Sequence, residues 1–212
     1  MSLAKLLQLA SPTLPVGAYS YSGGLEAAIE AGLVKDAASA QRWIGDVLEF
    51  SVARMEAPLL FSLLKENPSD LDEVNQKILA SREAAELRAE TVQMGYSLNR
   101  LLKDLGVAGV PVEEPSFPAA FAWAARQWGI APGDAVQAFL WAWVENQVMA
   151  AVKAVPLVQT DGQRMLMELG GRIGALSEKI LALKDEEIFN FTPNLAMLSA
   201  THEAQYSRLF RS

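Results

Sequence analysis

Residues 134–166, DAVQAFLWAWVENQVMAAVKAVPLVQTDGQRML, decide the fold of this chain. From 135 to 152 apolar side chains cover every face of a helix, so a helix formed here belongs in the middle of the molecule. Glu145, Asn146 and Gln147 interrupt the apolar run, which is therefore shorter than the roughly 20 residues that a bilayer requires. Burying these three side chains is costly unless each finds a hydrogen-bond partner. The sequence predicts a central helix with a polar seam.

Composition narrows the class of protein. With 212 residues, 51% of them hydrophobic, the chain can bury one sizeable core, and we expect a single domain over residues 1–212. A net charge of −7 argues against nucleic acid and anionic membranes as main partners. The absence of cysteine excludes disulfides, thiolate metal sites and thiol catalysis. The first 14 residues, MSLAKLLQLASPTL, lack the apolar segment of a secretion signal, and we expect a cytoplasmic protein.

Helix signals recur along the rest of the chain. Asp36 and Ser116 stand where they can cap helices, and Pro156 forces the central helix to end. Thr160 and Gln163 have the spacing of a capping box at the start of the next helix. No stretch keeps the alternation of a strand for long. The sequence predicts an all-α, single-domain helical bundle of roughly eight to ten helices.

The middle of the chain contains the breaks. Pro58 is expected to break or kink the helix that Asp36 opens. Asn67–Pro68 predicts a turn, after which Ser69 or Asp70 opens one long helix to about Asp104. A helix of that length is expected to bend around the core, and Gly95 is a plausible position for the bend.

The sequence lacks the motifs of nucleotide binding and of common catalytic centres. It contains no G-x-x-x-x-G-K-[ST] loop and no H-E-x-x-H, and we expect no cofactor, no metal site and no catalytic residue. His202 is the single histidine; it could bind a metal weakly with Glu203 across a two-fold axis, but an ordinary hydrogen-bonded histidine is favoured. An enzyme that uses a buried Glu145 and a generic helical adaptor remain alternatives.

Two further features favour a binding function. The C-terminal tail, residues 201–212, is rich in the side chains that anchor interfaces, and it either docks on its own core or contacts a partner. Lys153, at the end of the central helix, either complements the helix dipole or contacts a partner. The candidate tail residues are Tyr206, Arg208, Leu209, Phe210 and Arg211.

Four blocks span most of the chain: LASPTLPVGAYSYSGGLEAAIEAG (9–32), AELRAETVQMGYSLNRLL (85–102), AWVENQVMAAVKAVPLVQTDGQR (142–164) and HEAQYSRLFRS (202–212). In this order they are similar to blocks of the UreF family of urease accessory proteins. The resemblance implies an all-α homodimer without catalytic activity of its own. It also implies a complex with the accessory protein UreD (also called UreH) that recruits the GTPase UreG and delivers nickel to the urease apoprotein.

The resemblance also assigns residues. The family's loop tyrosine falls on Tyr19, its glutamate after G-L on Glu26, its lysine before V-P on Lys153, and its tail arginine on Arg208. Segment 1–22 and tail 201–212 are then the expected recognition segments. An arginine fork can bond loop carbonyls or stack on a tyrosine, so we expect Arg208 to fix the N-terminal loop.

The chain departs from the family at two positions. Gly23 stands where many relatives carry a polar side chain, and Val158 where they carry glycine. The first change puts a polar or metal-related role at Gly23 in doubt, and the second predicts a different turn after Pro156.

Overall fold

The computed structural model describes residues 3–65 and 70–212, and within these ranges the chain forms helices and no strand. The predicted all-α, single-domain fold of eight to ten helices is confirmed. The predicted turn at Asn67–Pro68, and Ser69 after it, lie outside the described residues. The ten α-helices of the described chain are α1 (Leu3–Leu9), α2 (Leu25–Glu30), α3 (Ala37–Val47), α4 (Ala57–Lys65), α5 (Leu71–Ala80), α6 (Ala85–Asp104), α7 (Phe117–Gln127), α8 (Pro132–Ala154), α9 (Gln159–Ala182) and α10 (Pro193–His202).

Helix α8 lies at the centre, as predicted. It packs against α9, α4, α3, α1, α2 and α7, and its apolar side chains are buried along most of its length. Phe139 of α8 meets Phe121 of α7 edge to face, with 5.4 Å between ring centroids, and Phe117 joins the same cluster. The exposed residues of α8 are few: Pro132, Gln137, Met149 and Lys153. None of the helices in the described ranges is long and apolar enough to cross a membrane.

The predicted helix caps are confirmed at two of three positions. The Asp36 carboxylate accepts the Ser39 N–H at 2.8 Å, and Ser116 Oγ accepts the Ala119 N–H at 3.3 Å. The capping box of Thr160 and Gln163 is wrong, because α9 begins at Gln159 and Asp161 is the acidic residue of its first turn.

The turn after Pro156 accommodates valine. Helix α8 ends at Ala154, as the proline predicts, and Val158 directly precedes α9. The N–H of Val158 donates to the Asp161 carboxylate at 3.4 Å. Val158 has a φ of −85°, an ordinary value for a branched side chain, so this turn makes no demand for glycine.

The predicted single helix from residue 70 to Asp104 is also wrong, because residues 81–84 separate α5 from α6. At this break Arg82 pairs with Glu56 through both terminal nitrogens, at 2.9 and 2.8 Å, a contact between distant parts of the sequence. Gly95 is needed for close packing, which differs from the predicted bend. A Cβ at Gly95 would lie 2.0 Å from the carbonyl oxygen of Pro115, so glycine is required for close packing.

Pro58 does not end its helix. The chain runs without interruption from α3 through the wider π-helical turns of Leu48–Glu56 into α4, where Pro58 is the second residue. Proline has no N–H group, and near the start of a helical segment that N–H group would have no hydrogen-bond partner in any case. The π-helical turns before α4 shift the hydrogen-bond pattern, so that Pro58 stands at such a start.

Candidate functional site

The C-terminal end of the chain folds back onto the N-terminal loop. After α10, the segment that we call the docked tail (residues 203–212) runs alongside residues 20–23. The Arg211 N–H donates to the Ser20 carbonyl at 2.8 Å, and the Ser22 N–H donates to the main-chain oxygen of Ser212 at 3.0 Å. The Ser22 hydroxyl donates to the same oxygen. Loop and tail therefore form one ordered unit.

The carboxylate of Glu26 holds the tail in place. Glu26 lies in the first turn of α2 and is 7% exposed. One carboxylate oxygen accepts the N–H of Leu209 at 2.6 Å, and the other accepts the N–H of Phe210 at 2.9 Å. Hydrogen bonds to a charged acceptor are the stronger kind, and two on adjacent amides fix the direction of the tail. The predicted partner-binding role of Glu26 is untested, but its position is internal.

His202 connects this carboxylate to α6. Its fully buried ring lies 2.6 Å through Nδ1 from the Glu86 carboxylate and 3.1 Å through Nε2 from Glu26. Both contacts are hydrogen bonds if both ring nitrogens carry a proton. They are also hydrogen bonds if one ring nitrogen carries a proton and the carboxyl group that faces the other nitrogen is protonated. The two carboxylates face opposite edges of the ring, which suits hydrogen bonding and not a shared metal ion. In the described ranges, no group of three or more His, Cys, Asp or Glu side chains is placed to hold a metal.

Arg208 extends the same network of polar side chains. Its guanidinium group pairs with Glu86, and Glu26, His202, Glu86 and Arg208 thus link α2, α10, α6 and the tail. The structure gives Arg208 this carboxylate partner in place of the loop carbonyl or tyrosine that we expected from the sequence. Main-chain hydrogen bonds fix the loop instead.

Sequence reasoning missed Glu86 and Glu90. They are four residues apart on one face of α6. This spacing, within one of the four blocks that resemble the family, could have identified them in the sequence. The hydroxyl of Ser212 donates to Glu90 at 2.6 Å. Burial raises the pKa of Glu90 to about 7, with Glu56 adding to the rise, against the opposing effects of the Ser212 hydrogen bond and of Arg82.

The tail docks on its own core, as one interpretation of the sequence predicted, and it also exposes side chains; the partner contact of the other interpretation stays a prediction. Phe210 is 4% exposed, and the Lys153 ammonium lies 4.4 Å from the centre of its ring. Tyr206 is fully exposed, and Tyr19 is 77% exposed beside the loop residue that Arg211 contacts. The exposed members of the predicted set lie on the docked tail or next to residues that it contacts, and we call them the tail surface: Tyr19, Lys153, Tyr206, Arg208, Leu209 and Arg211.

The polar seam of α8 is only partly satisfied. The Asn146 amide donates to the Tyr21 carbonyl at 3.3 Å. Gln147 is only 3% exposed, but its side chain forms no hydrogen bond with the described residues. Glu145 is half-buried, and burial raises its pKa against a hydrogen bond from Trp141. A cavity beside α8, of about 300 Å³, is lined by Asn146 and Gln147 but not by Glu145. The geometry gives no support to an enzyme that uses Glu145.

Comparison with known proteins identifies the family. A family model described as UreF matches residues 34–170. The chain is 55% identical to a urease accessory protein UreF of Azoarcus sp. (strain BH72), an alignment that covers 100% of this chain and 96% of the relative. It is 52% identical to a urease accessory protein UreF of Dechloromonas aromatica (strain RCB), covering 100% of this chain and 98% of the relative. Matches of this length and identity show that the chain belongs to the UreF family of urease accessory proteins.

Proposed function

We propose that this protein is a non-catalytic scaffold in the maturation of urease. Together with UreD (UreH) it recruits the GTPase UreG, so that GTP-dependent nickel delivery reaches the urease apoprotein. A homodimer, as the family resemblance implies, is the unit that carries these partners. Nickel is the cargo of this process and no resident cofactor of the chain.

The tail surface is the observation that carries this proposal. An end of a chain is usually poorly ordered, whereas this one is held by Glu26, His202 and Glu86 through short hydrogen bonds. The ordered tail presents tyrosine, arginine and leucine side chains at the surface. Tyrosine and arginine are typical of binding hot spots. An internal polar network that presents such side chains outward is suited to recognition.

The exposed chemistry of the tail surface suits a protein partner better than a small molecule. Tyr206 and Leu209 project from the tail, with Leu209 57% exposed, and Arg208 retains a partly exposed guanidinium group. These side chains lie on the surface and not inside the cavity beside α8. Exposed aromatic and apolar side chains next to cations are the residue types that the core and rim of a protein interface use.

Arg208→Ala tests the assignment. The protein, bound to UreD, is used to capture UreG, and we expect the variant to lose UreG while it still binds UreD and forms the dimer. Arg164→Ala is the matched control, because Arg164 is an exposed arginine of α9 that also pairs with a carboxylate. Unchanged capture of UreG by Arg208→Ala would refute the role of the tail surface.

A gene deletion distinguishes this function from that of a generic adaptor. We expect cells without the protein to contain inactive urease, and we expect added nickel to restore activity only in part. Urease activity that does not depend on the protein at any nickel concentration would contradict the proposal. The purified chain is also expected to hydrolyse no GTP on its own.

A further inference from the structure

The cavity beside α8 has the character of a binding site. It encloses about 300 Å³ between the N-terminal segment, the π-helical turns, α6 and α8. Leu14, Met94, Phe139 and Trp143 form apolar parts of its wall. Its lining also includes Tyr19 and Met149, which are 77% and 55% exposed, so the cavity opens at the surface next to Tyr19.

Acidic groups outnumber basic ones in the lining of this cavity. Its charged residues are Glu56, Arg82, Glu83 and Glu90. Arg82 directs both terminal nitrogens to Glu56, at 2.9 and 2.8 Å, so Glu90 interacts with that cation only at longer range. Burial raises the pKa of Glu90 to about 7 although the Ser212 hydroxyl, which donates to it at 2.6 Å, and Arg82 oppose the rise, which means that its negative charge is only partly compensated. An added cation would favour the ionised carboxylate.

A buried amide in the same cavity gives a second, independent indication. Gln147 is 3% exposed and lines the cavity, and no group of the described residues forms a hydrogen bond with its side-chain amide. Its nitrogen lies close to Gly23, since a Cβ placed there would be 3.2 Å from Nε2. The amide is not among the fully enclosed polar atoms that lack a partner, so it faces the open space of the cavity, where a ligand can form hydrogen bonds with it.

We propose that this cavity receives the side chain of a lysine or arginine from the protein that docks over Tyr19 and Met149. The proposal rests on the proposed function only for the identity of that protein, an accessory partner in urease maturation. The charged end lies at Glu90 and Gln147, and the methylene groups of the side chain lie along Leu14, Met94 and Phe139.

The chemistry of the lining selects this class of ligand. Ammonium and guanidinium groups donate hydrogen bonds and accept none, which matches the acceptor oxygens of Glu90 and Gln147. Lysine and arginine bury their methylene groups on apolar surfaces while the charge reaches a polar group. An anion would meet an excess of carboxylates, and a neutral alcohol would leave the charge of Glu90 uncompensated. Because Tyr19 belongs to both the tail surface and the lining of the cavity, one partner can contact the tail surface and place a side chain in the cavity.

The test uses n-butylguanidinium as a probe of the full-length protein, without any partner. The protein carries methionine labelled with ¹³C at the methyl group, and NMR spectra are recorded during the titration. We expect saturable shifts of the Met94 and Met149 methyl signals, which report on the cavity, and none of Met165, which is buried elsewhere. Because the guanidinium charge is constant and Glu90 ionises near pH 7, binding should be about tenfold tighter at pH 8 than at pH 6.

Two variants make the result specific. Glu90→Gln should weaken binding at pH 8 by about tenfold and abolish the dependence on pH, since a charge-assisted hydrogen bond is lost. Glu83→Gln, which removes an exposed carboxylate of the same cavity, should retain both. Unchanged Met165 signals confirm that each variant is folded.

Either of two results would overturn the proposal: binding of n-butanol as tight as that of n-butylguanidinium, or equal binding by Glu90→Gln and the unmodified protein. The titration involves neither UreD nor UreG. Its failure therefore leaves the proposed function intact, and a failure of the Arg208→Ala experiment leaves the cation site intact.

Discussion

The core around α8 and the docked tail are held by opposite kinds of interaction. In the core, Phe121 and Phe139 are almost fully buried and pack ring against ring. The tail buries Phe210, but its path is set by hydrogen bonds to Glu26 and by the pairing of Arg208 with Glu86. Apolar burial depends on area and is non-directional, whereas hydrogen bonds to carboxylates depend on direction.

This difference predicts that stability and the proposed recognition depend on different contacts. Loss of a core side chain affects the whole molecule, because core packing is shared by α4, α7, α8 and α9. Loss of one polar contact of the tail affects a terminal segment, which can open locally at a lower free energy than global unfolding. The protein can therefore change the order of its tail surface while the helical bundle stays folded.

Replacement of Phe121 by alanine is the strongest test of the core. Phe121 is 0% exposed and contacts Phe117 and Phe139, so we expect the free energy of unfolding to fall by about 3–5 kcal/mol. Urea denaturation measures the change. Phe191→Ala is the matched control, because Phe191 is 78% exposed and should change stability by about 0.5 kcal/mol or less. Equal effects of the two variants would show that the core does not depend on this ring cluster.

The sequence predicted the core well and the site only in part. The all-round apolar pattern of residues 135–152 placed α8 at the centre, since local periodicity reports directly on burial. Asp36 and Ser116 marked helix starts because a cap depends on neighbouring residues alone. The break between α5 and α6 escaped prediction, because its cause includes the pairing of Arg82 with a residue 26 positions away.

The network of polar side chains beneath the tail could not be predicted from the sequence for the same reason. Glu26 and His202 are 176 residues apart, and nothing local indicates that they meet. The family resemblance pointed to Glu26 and Arg208, but not to Glu86, which joins them through His202. Gly95 was interpreted as a bend, whereas its contact with Pro115 belongs to the packing of two distant segments. Long-range polar contacts require the fold to be known first.

Glu90→Gln tests the junction of the core cavity and the tail, and its effect depends on pH. The pKa of Glu90 is raised from 4.5 to about 7 in the folded protein, so its contribution to stability is fully present below about pH 4.5 and is lost as pH rises through about 7. Glutamine has no charge to bury. We therefore expect the stability of the variant relative to the unmodified protein to rise between pH 4.5 and 7, by about 3 kcal/mol in total, and to stay level above pH 7. Thermal unfolding across this range measures the difference, and a constant difference would contradict the raised pKa.

Glu26→Gln is expected to have the smallest global effect and the most local one. The glutamine amide offers one acceptor oxygen and turns its NH₂ group toward a main-chain N–H, so the Leu209 and Phe210 amides cannot both be bonded as they are by the carboxylate. Amide hydrogen exchange at these two residues should accelerate by about tenfold to a hundredfold, while exchange within α8 stays unchanged. Glu30→Gln, an exposed change in the same helix α2, should leave both rates alone. Faster exchange of α8 in Glu26→Gln would mean that tail and core unfold as one unit, and the separation of stability from recognition would then fail.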